Sequence, residues 1–598
     1  MRVADYIAQR LTQESDTVFM LAGGGAMFLN DALSWCEGLH PVFCHHEQTC
    51  AMAAEAYARF NGKLGVVNVT TGPGGINAIN GVFGAWTDSI PMIVISGQVK
   101  RLTTLRATGN LGKLRQLGDQ EVDIISLVKP ITKRATFISQ VDEIPFILEE
   151  SILLAKDGRP GPVWIDIPID IQLAEMNPEK YFMCNAVATR SIPVSLERSV
   201  NHVLKLIDQS SRPVFLVGSA VRSSGAQQKL IEISRRINVP ICTTWTAVDF
   251  IDHKSAWFGE RPGVVGTRAG NLITQKSDLI IVMGSRLPIR QVSYNWENFG
   301  RNAIKVGIDV DPYELSKPMV ALDVLINADV ASFINLLWDK TTEPSEIFDN
   351  KKHWIENISL IKKELPVIDC SLVEKGHSDK GLNPYLFIDE LWRMLNDDEI
   401  VACADASASV IPFQIASIRG TQRLFTNAGS ASMGYEIPAA IGAAFANPGK
   451  RIICIAGDGS IMLNIQELET IQRYALPIKV LVLNNDGYLS IRLSQKTFFG
   501  REKGAGPDSG LSFPKLSALA KANSLSYCLV NSISDYEEML SRLNSSKPEI
   551  IEICINPDQS FQPKLGSYRK DDGTIVSDSL EYMSPHLPKD IIDHLLKS

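Results

Sequence analysis

Long apolar runs are missing from this chain of 598 residues, and no stretch is continuously hydrophobic enough to span a bilayer. Its N-terminus, MRVADYIAQRLTQESDTVF, lacks the charged-then-apolar pattern of a secretory signal and reads as an amphipathic helix running into a strand. No block of lysine and arginine stands out, and 59 basic against 67 acidic residues leave a net charge of −8. Neither nucleic acid nor an anionic membrane is therefore expected as the main partner. Paired cysteines are absent too. The ten cysteines are scattered singly with no CxxC, which argues against a disulfide framework or a zinc site and suggests small buried apolar residues. These absences lead to the expectation of a soluble, cytoplasmic globular protein. At this length one core is not enough, and two to four domains are expected.

What is present centres on Arg451 to Gln495. Arg451 to Ala456 and Ile478 to Leu483 read as buried parallel strands, and Ile461, Ile465 and Leu468 fall on the apolar face of a helix between them. Such a βαβ unit places both polar turns, Gly457-Asp458-Gly459-Ser460 and Asn484-Asn485-Asp486-Gly487, at the carboxyl ends of strands, where open parallel sheets bind ligands. Asp458 and Asn485 offer the hard oxygen donors that Mg²⁺ or Ca²⁺ prefers, and Gly459 and Ser460 open a helix N-terminus suited to phosphate. Either turn alone is usually only a turn.

The Asp458 to Asn485 spacing, with GDG at one end and NN at the other, resembles the signature of thiamine-diphosphate enzymes. Other segments extend the resemblance, in order, over nearly the whole chain, and point to the branch of acetolactate synthase large subunits. His45-His46-Glu47-Gln48 opens a small-residue helix after the second strand, and TTGPGGIN spans Thr70 to Asn77. The resemblance implies that Glu47 contacts the pyrimidine ring of the cofactor and protonates one of its nitrogens. It further assigns catalytic roles to Gln120 and Lys133, and cofactor contacts to Gly23, Gly24, Thr70, Pro73, Asn77, Gly429, Met433, Gly459 and Ser460. Asp458, Asn485 and the carbonyl of Gly487 would hold Mg²⁺. Plainer readings stand beside these: Glu47 complementing a helix dipole, the glycines permitting tight turns, Met433 filling a core. His45 and His46 are read as structural.

A Pro-bearing linker is expected from about Gln172 to Pro193, and a charged one from Lys340 to Lys380. Between them the strands RPVFLVGSA, NVPICTTW, DLIIVMGSR and KVGIDVDP alternate with helical patterns. In the resembling branch this central domain holds FAD, with Arg268 and Arg286 as flavin contacts, although some relatives keep the domain without the flavin. The resulting expectation is an α/β protein of three doubly wound parallel-sheet domains, covering 1–171, 194–337 and 381–555, followed by a tail over 556–598 that wraps a surface or covers an active site.

The function implied is decarboxylation of pyruvate, a 2-keto acid, and transfer of the two-carbon unit to a carbonyl acceptor, with thiamine diphosphate, Mg²⁺ and FAD as cofactors. Glu47 and Asp458 would serve one site from different subunits, so a homodimer is the minimum unit and a homotetramer the larger option. Asp119 and Arg492 replace apolar pocket residues of the family, and Gln495 a tryptophan. They either accommodate a more polar acceptor or pair with each other or with solvent. The alternatives are therefore transfer to a keto-sugar nucleotide or diketone, then a simple decarboxylase or pyruvate oxidase, then a non-catalytic relative. The acceptor and any regulatory subunit stay open.

Overall fold

The computed structural model of the protein describes residues 1–180, 194–342, 351–369, 372, 376–569 and 571–597. Most of the first expected linker thus lies outside the described residues, as do Cys184 and Cys370. Three parallel sheets organise the chain. The first comprises β1 (Thr17–Met20), β2 (His40–Phe43), β3 (Gly65–Val69), β4 (Met92–Gln98), β5 (Arg134–Phe137) and β6 (Pro162–Pro168). A second contains β7 (Pro213–Val217), β8 (Ile241–Thr243), β9 (Leu279–Met283), β10 (Ile304–Asp309) and β11 (Val324–Asn327). The third contains β12 (Ile400–Cys403), β13 (Arg423–Phe425), β14 (Ile452–Gly457), β15 (Ile478–Asn484), β16 (Ser526–Val530) and β17 (Glu549–Cys554). Among the described residues no helix is long and apolar enough to cross a membrane.

The first and third sheets share one strand order, β2-β1-β3-β4-β6-β5 and β13-β12-β14-β15-β17-β16. Each order reverses direction at its first strand. The crevices above β1/β3 and β12/β14 are thus the switch points where such sheets bind ligands. They are walled by Gly23–Gly25 with Thr70–Pro73 in one domain, and by the turns after Cys403 and Gly457 in the other.

One hydrophobic core runs continuously through both domains, joined by the small-residue helix Glu47–Asn61. Its alanines let it sit between the helices Pro73–Asp88 and Glu436–Ala446 at backbone distance. A methyl on Gly442 would lie 2.1 Å from the Ala53 carbonyl oxygen, and one on Gly81 2.5 Å from Ala51 Cβ. Overpacking at such contacts typically costs about 1–3 kcal/mol. Charge is buried there as a complete network: Arg59 pairs with Glu55 and Asp88, and the Tyr435 hydroxyl donates to Glu55. Close packing, the plain reading of this helix, is what its length is used for. Its first turn does something else.

One sequence expectation is corrected. The charged stretch after Lys340 is not only a connector: Lys352–Glu364 within it is a helix whose Trp354, Ile358 and Ile361 enter the core of the middle domain. The tail packs on the middle domain, while its Pro557 carbonyl comes within 3.5 Å of Arg492 Nη2. Leu565, Leu580, Ile592 and Leu595 complete that same core, and the Lys276 ammonium donates to the Leu595 carbonyl at 2.9 Å.

Candidate active site

In the first domain the structure brings Gly23, Thr70, Pro73, Asn77, Glu47 and Gln120 together. Thr70 leaves β3 and its hydroxyl accepts from the Gly25 N–H at 3.1 Å, while the Gly23 N–H donates to Asn30 at 3.0 Å. Gly72 has φ +63°, and a Cβ there would stand 2.0 Å from the Gln120 carbonyl oxygen, so only glycine lets the loop carrying Gln120 lie against this turn. Pro73 then opens the helix at a position where a missing N–H costs nothing. His46 caps the neighbouring helix, its Nδ1 accepting from the Gln48 N–H at 3.0 Å. Those two helix starts set Glu47 beside Asn77, whose amide donates to Glu47 Oε2 at 3.0 Å. Glu47 is 7% exposed. No cation pairs with it among the described residues. Gly24 adjoins open space.

At the matching pole of the third domain Asp458 is buried and accepts from the N–H groups of Gly459 at 2.9 Å and Gly487 at 2.8 Å. Burial pushes its carboxyl up to about 7, against the pull of those two hydrogen bonds. Asn485 Oδ1, also buried, has no hydrogen-bond partner. Nearby loops leave further buried oxygens without partners: Ser407 Oγ after β12, Asn427 Oδ1 after β13 and Glu436 Oε1. Leaving a buried polar atom unpaired costs about 1–3 kcal/mol, so a cluster at one switch point marks a place where partners arrive from outside. A carboxylate, an amide oxygen and a turn carbonyl are the oxygen set that suits Mg²⁺.

Several residues are placed differently from the sequence reading. The segment after Ser460 is not one helix but a 3-10 turn, Ile461–Asn464, followed by the short helix Glu467–Arg473. Its start is therefore no helix N-terminus for phosphate, and the Ser460 hydroxyl is engaged, donating to Glu436 at 3.0 Å and accepting from Gly434 N–H at 2.9 Å. Met433, half-buried, directly precedes Gly434, whose N–H makes that link to Ser460. Gly429 instead donates to Asp88 of the first domain at 3.0 Å. Lys133 lies at the far end of the Pro73–Asp88 helix, against Trp86 and Gly161, its ammonium donating to the Asp157 carbonyl at 2.6 Å. The nine residues from Asn77 to Trp86 separate it from Glu47 by about 13 Å of helix. Glu436 was missed altogether. A carboxylate within the apolar run YEIPAAIGAAFA was its signal, and burial holds it at about 7.

No hydrogen bond or ion pair joins the Glu47 group to the Asp458 group within one chain among the described residues. Asp119 is exposed and Arg492 donates to backbone carbonyls, so the two do not pair with each other within one chain. Gln495 faces its own loop, exchanging hydrogen bonds with Lys503. A separate cavity of about 900 Å³ lies between the three domains, lined by Arg222, Arg286, Arg290 and Trp245 among others. Arg268 is not part of its wall: its guanidinium donates to the carbonyls of Met583 and Pro585 in the tail.

Comparison with known proteins gives the class of this architecture. The N-terminal TPP binding domain of thiamine pyrophosphate enzymes matches residues 1–127, the central domain 200–337 and the C-terminal TPP binding domain 407–553. A probable acetolactate synthase large subunit of Methanococcus aeolicus is 30% identical, covering 94% of this chain and 93% of its own. The isozyme 1 large subunit of Escherichia coli K12 acetolactate synthase is 28% identical over 94% and 95%, and the Lactococcus lactis large subunit 28% over 92% of each. The chain belongs to the thiamine-diphosphate-dependent enzymes, in the branch of the acetolactate synthase large subunits.

Proposed function

We propose that the protein decarboxylates pyruvate and joins the two-carbon unit to a carbonyl acceptor, a second pyruvate giving acetolactate. The observation that carries this reading is the convergence of buried Asp458, the unpartnered Asn485 Oδ1 and Gly487 at the switch point of the third sheet. Asp458, Asn485 and the Gly487 carbonyl would hold Mg²⁺, and with it the diphosphate. Thiamine diphosphate, when bound, supplies the electron sink that decarboxylation of a 2-keto acid needs and no side chain offers.

The chain's own part is orientation and proton control. Gly23, Thr70, Pro73 and Gln120 shape a slot in the first domain, and Asn77 fixes the Glu47 carboxyl in it, positioned so that it would hold or give up a proton toward a pyrimidine bound there. Proton transfer by a positioned group is worth about 100- to 10,000-fold. The complete site then takes Glu47 from one protomer and Asp458 from its partner, a reading supported by the lack of any hydrogen bond or ion pair between the two groups within one chain among the described residues. Ile76 and Phe83, seven apart and exposed on the Pro73–Asp88 helix, supply an apolar face for that homodimer.

We assign FAD to the interdomain cavity. Its volume suits a dinucleotide, and Arg286 carries no ion-pair partner among the described residues, whereas Arg159 nearby is paired with Asp311 and Glu314. Visible absorbance of the purified protein, with mass analysis of the released chromophore, tests this. Incubation with pyruvate, thiamine diphosphate and Mg²⁺, following pyruvate loss and product mass, tests the reaction. Acetolactate is the expected product. Pyruvate consumed without ligation, or not consumed at all, overturns the assignment.

A further inference from the structure

The turn between Asn485 and Gly487 is unusual in its backbone. Asp486 and Gly487 have φ of +58° and +124°, two successive residues in a region that L side chains rarely adopt. A Cβ on Gly487 would lie 2.2 Å from the Ala505 carbonyl oxygen, so the turn is pressed against the 505–506 segment. The Tyr488 N–H donates to that same oxygen at 2.7 Å. A turn in this conformation leaves its own carbonyls without intrahelical donors, and something must hold them.

Arg492 does so. It sits one turn into the helix Leu489–Phe499, which starts directly after the turn, and its side chain folds back. Nη2 donates to the Asn485 carbonyl at 2.6 Å and Nη1 to the Asp486 carbonyl at 2.8 Å, with the Pro557 carbonyl 3.5 Å from Nη2. The planar guanidinium offers two parallel donors in fixed geometry, which a lysine cannot. Both terminal nitrogens are committed to the main chain. The clamp uses those terminal nitrogens and leaves the Nε–H outside it.

We infer that Arg492 is a positioning residue for the metal turn: by clamping the carbonyls of Asn485 and Asp486 it holds the Asn485 side-chain oxygen and the Gly487 carbonyl in register with Asp458. The inference rests on the reading of Asp458, Asn485 and Gly487 as Mg²⁺ ligands. Partners behind metal ligands typically contribute 10- to 100-fold in metal affinity.

The test uses the full-length protein and its Arg492→Ala and Arg492→Lys variants, titrated with Mg²⁺ at fixed thiamine diphosphate. Thermal midpoint and tryptophan fluorescence are the readouts. The half-saturating Mg²⁺ concentration is expected to rise about 10- to 100-fold in Arg492→Ala and less in Arg492→Lys. The KM for pyruvate at saturating Mg²⁺ is expected to stay within about twofold, because the clamp acts on the metal turn and not on the substrate. An unchanged Mg²⁺ requirement with a raised KM overturns the inference and makes Arg492 a substrate contact. If Arg492→Ala fails to fold by circular dichroism, Arg492→Lys decides by the same criterion. Should the unaltered protein show no Mg²⁺-dependent stabilisation, the metal reading itself fails, and that is visible before any variant is compared.

Discussion

The Asn77 amide donates to Glu47 Oε2 at 3.0 Å, tying together the first turns of two helices that start from different strands of one sheet. Glu47 Oε1 meanwhile has room only because residue 74 is glycine: a Cβ there would sit 3.3 Å from it and 2.8 Å from Thr70 Cγ2. One carboxylate oxygen is thus fixed and the other lies along the slot.

Glu47→Gln should keep the Asn77 contact through the amide oxygen while removing the transferable proton. Turnover is expected to fall about 100- to 10,000-fold, with thiamine diphosphate binding retained. Steady-state kinetics beside calorimetric titration of the cofactor check this, and near-normal turnover would remove Glu47 from the mechanism.

Gly487→Ala should abolish Mg²⁺-dependent stabilisation. The new methyl meets the Ala505 carbonyl and the backbone sits at φ +124°, a combination costing of order 1–3 kcal/mol before any metal is lost. Gly500 provides the control, since it too has positive φ, +63°, but faces open space. Gly500→Ala should cost only the left-handed penalty of about 1–2 kcal/mol and leave the Mg²⁺ response intact, as thermal shifts with and without metal will show.

The parts of this site legible in the sequence are those written locally. The GDG and NN turns follow β14 and β15, and Glu47 follows β2, because strand, turn and helix start are consecutive in the chain. What sequence reasoning misplaced depends on residues far apart. Arg268 finds its partners at Met583 and Pro585, more than 300 positions away, and nothing near Arg268 announces a tail folding back over it. Arg492 looked like a pocket cation because its partners are carbonyls, which every residue has. Trp354, Ile358 and Ile361 did carry a helical spacing, but the surrounding charge masked it.

Phe83→Glu should yield monomers and, with them, loss of turnover. The side chain is exposed, seven residues from Ile76 on the Pro73–Asp88 helix, whose Gly81 makes the core contact with Glu47–Asn61. A charge there has little to disturb within the protomer, yet it is costly to bury unpaired between two. Light scattering and activity measured on the same samples distinguish the outcomes: a dimer that survives the change with full turnover would place the interface elsewhere.

Asp166 sets a pH dependence outside the site. It is 2% exposed, accepts from Ser96 Oγ at 2.5 Å and Gln98 Nε2 at 3.1 Å, and burial raises its carboxyl from 3.8 to about 7. The folded state therefore binds a proton that the unfolded chain has already released, and stability falls as pH rises through that window. The shift corresponds to at most about 4 kcal/mol between the two ends of the range. Gln98 also donates to the Val122 carbonyl at 3.1 Å, so a charged Asp166 is felt in the loop that carries Gln120. Asp166→Asn removes the titration while keeping an acceptor for one of the two donors. Urea unfolding at about pH 5 and about pH 8 should show the native protein losing more stability across the interval than the variant. Equal losses would mean that Asp166 stays charged throughout, stabilised by Ser96 and Gln98 more than it is opposed by burial.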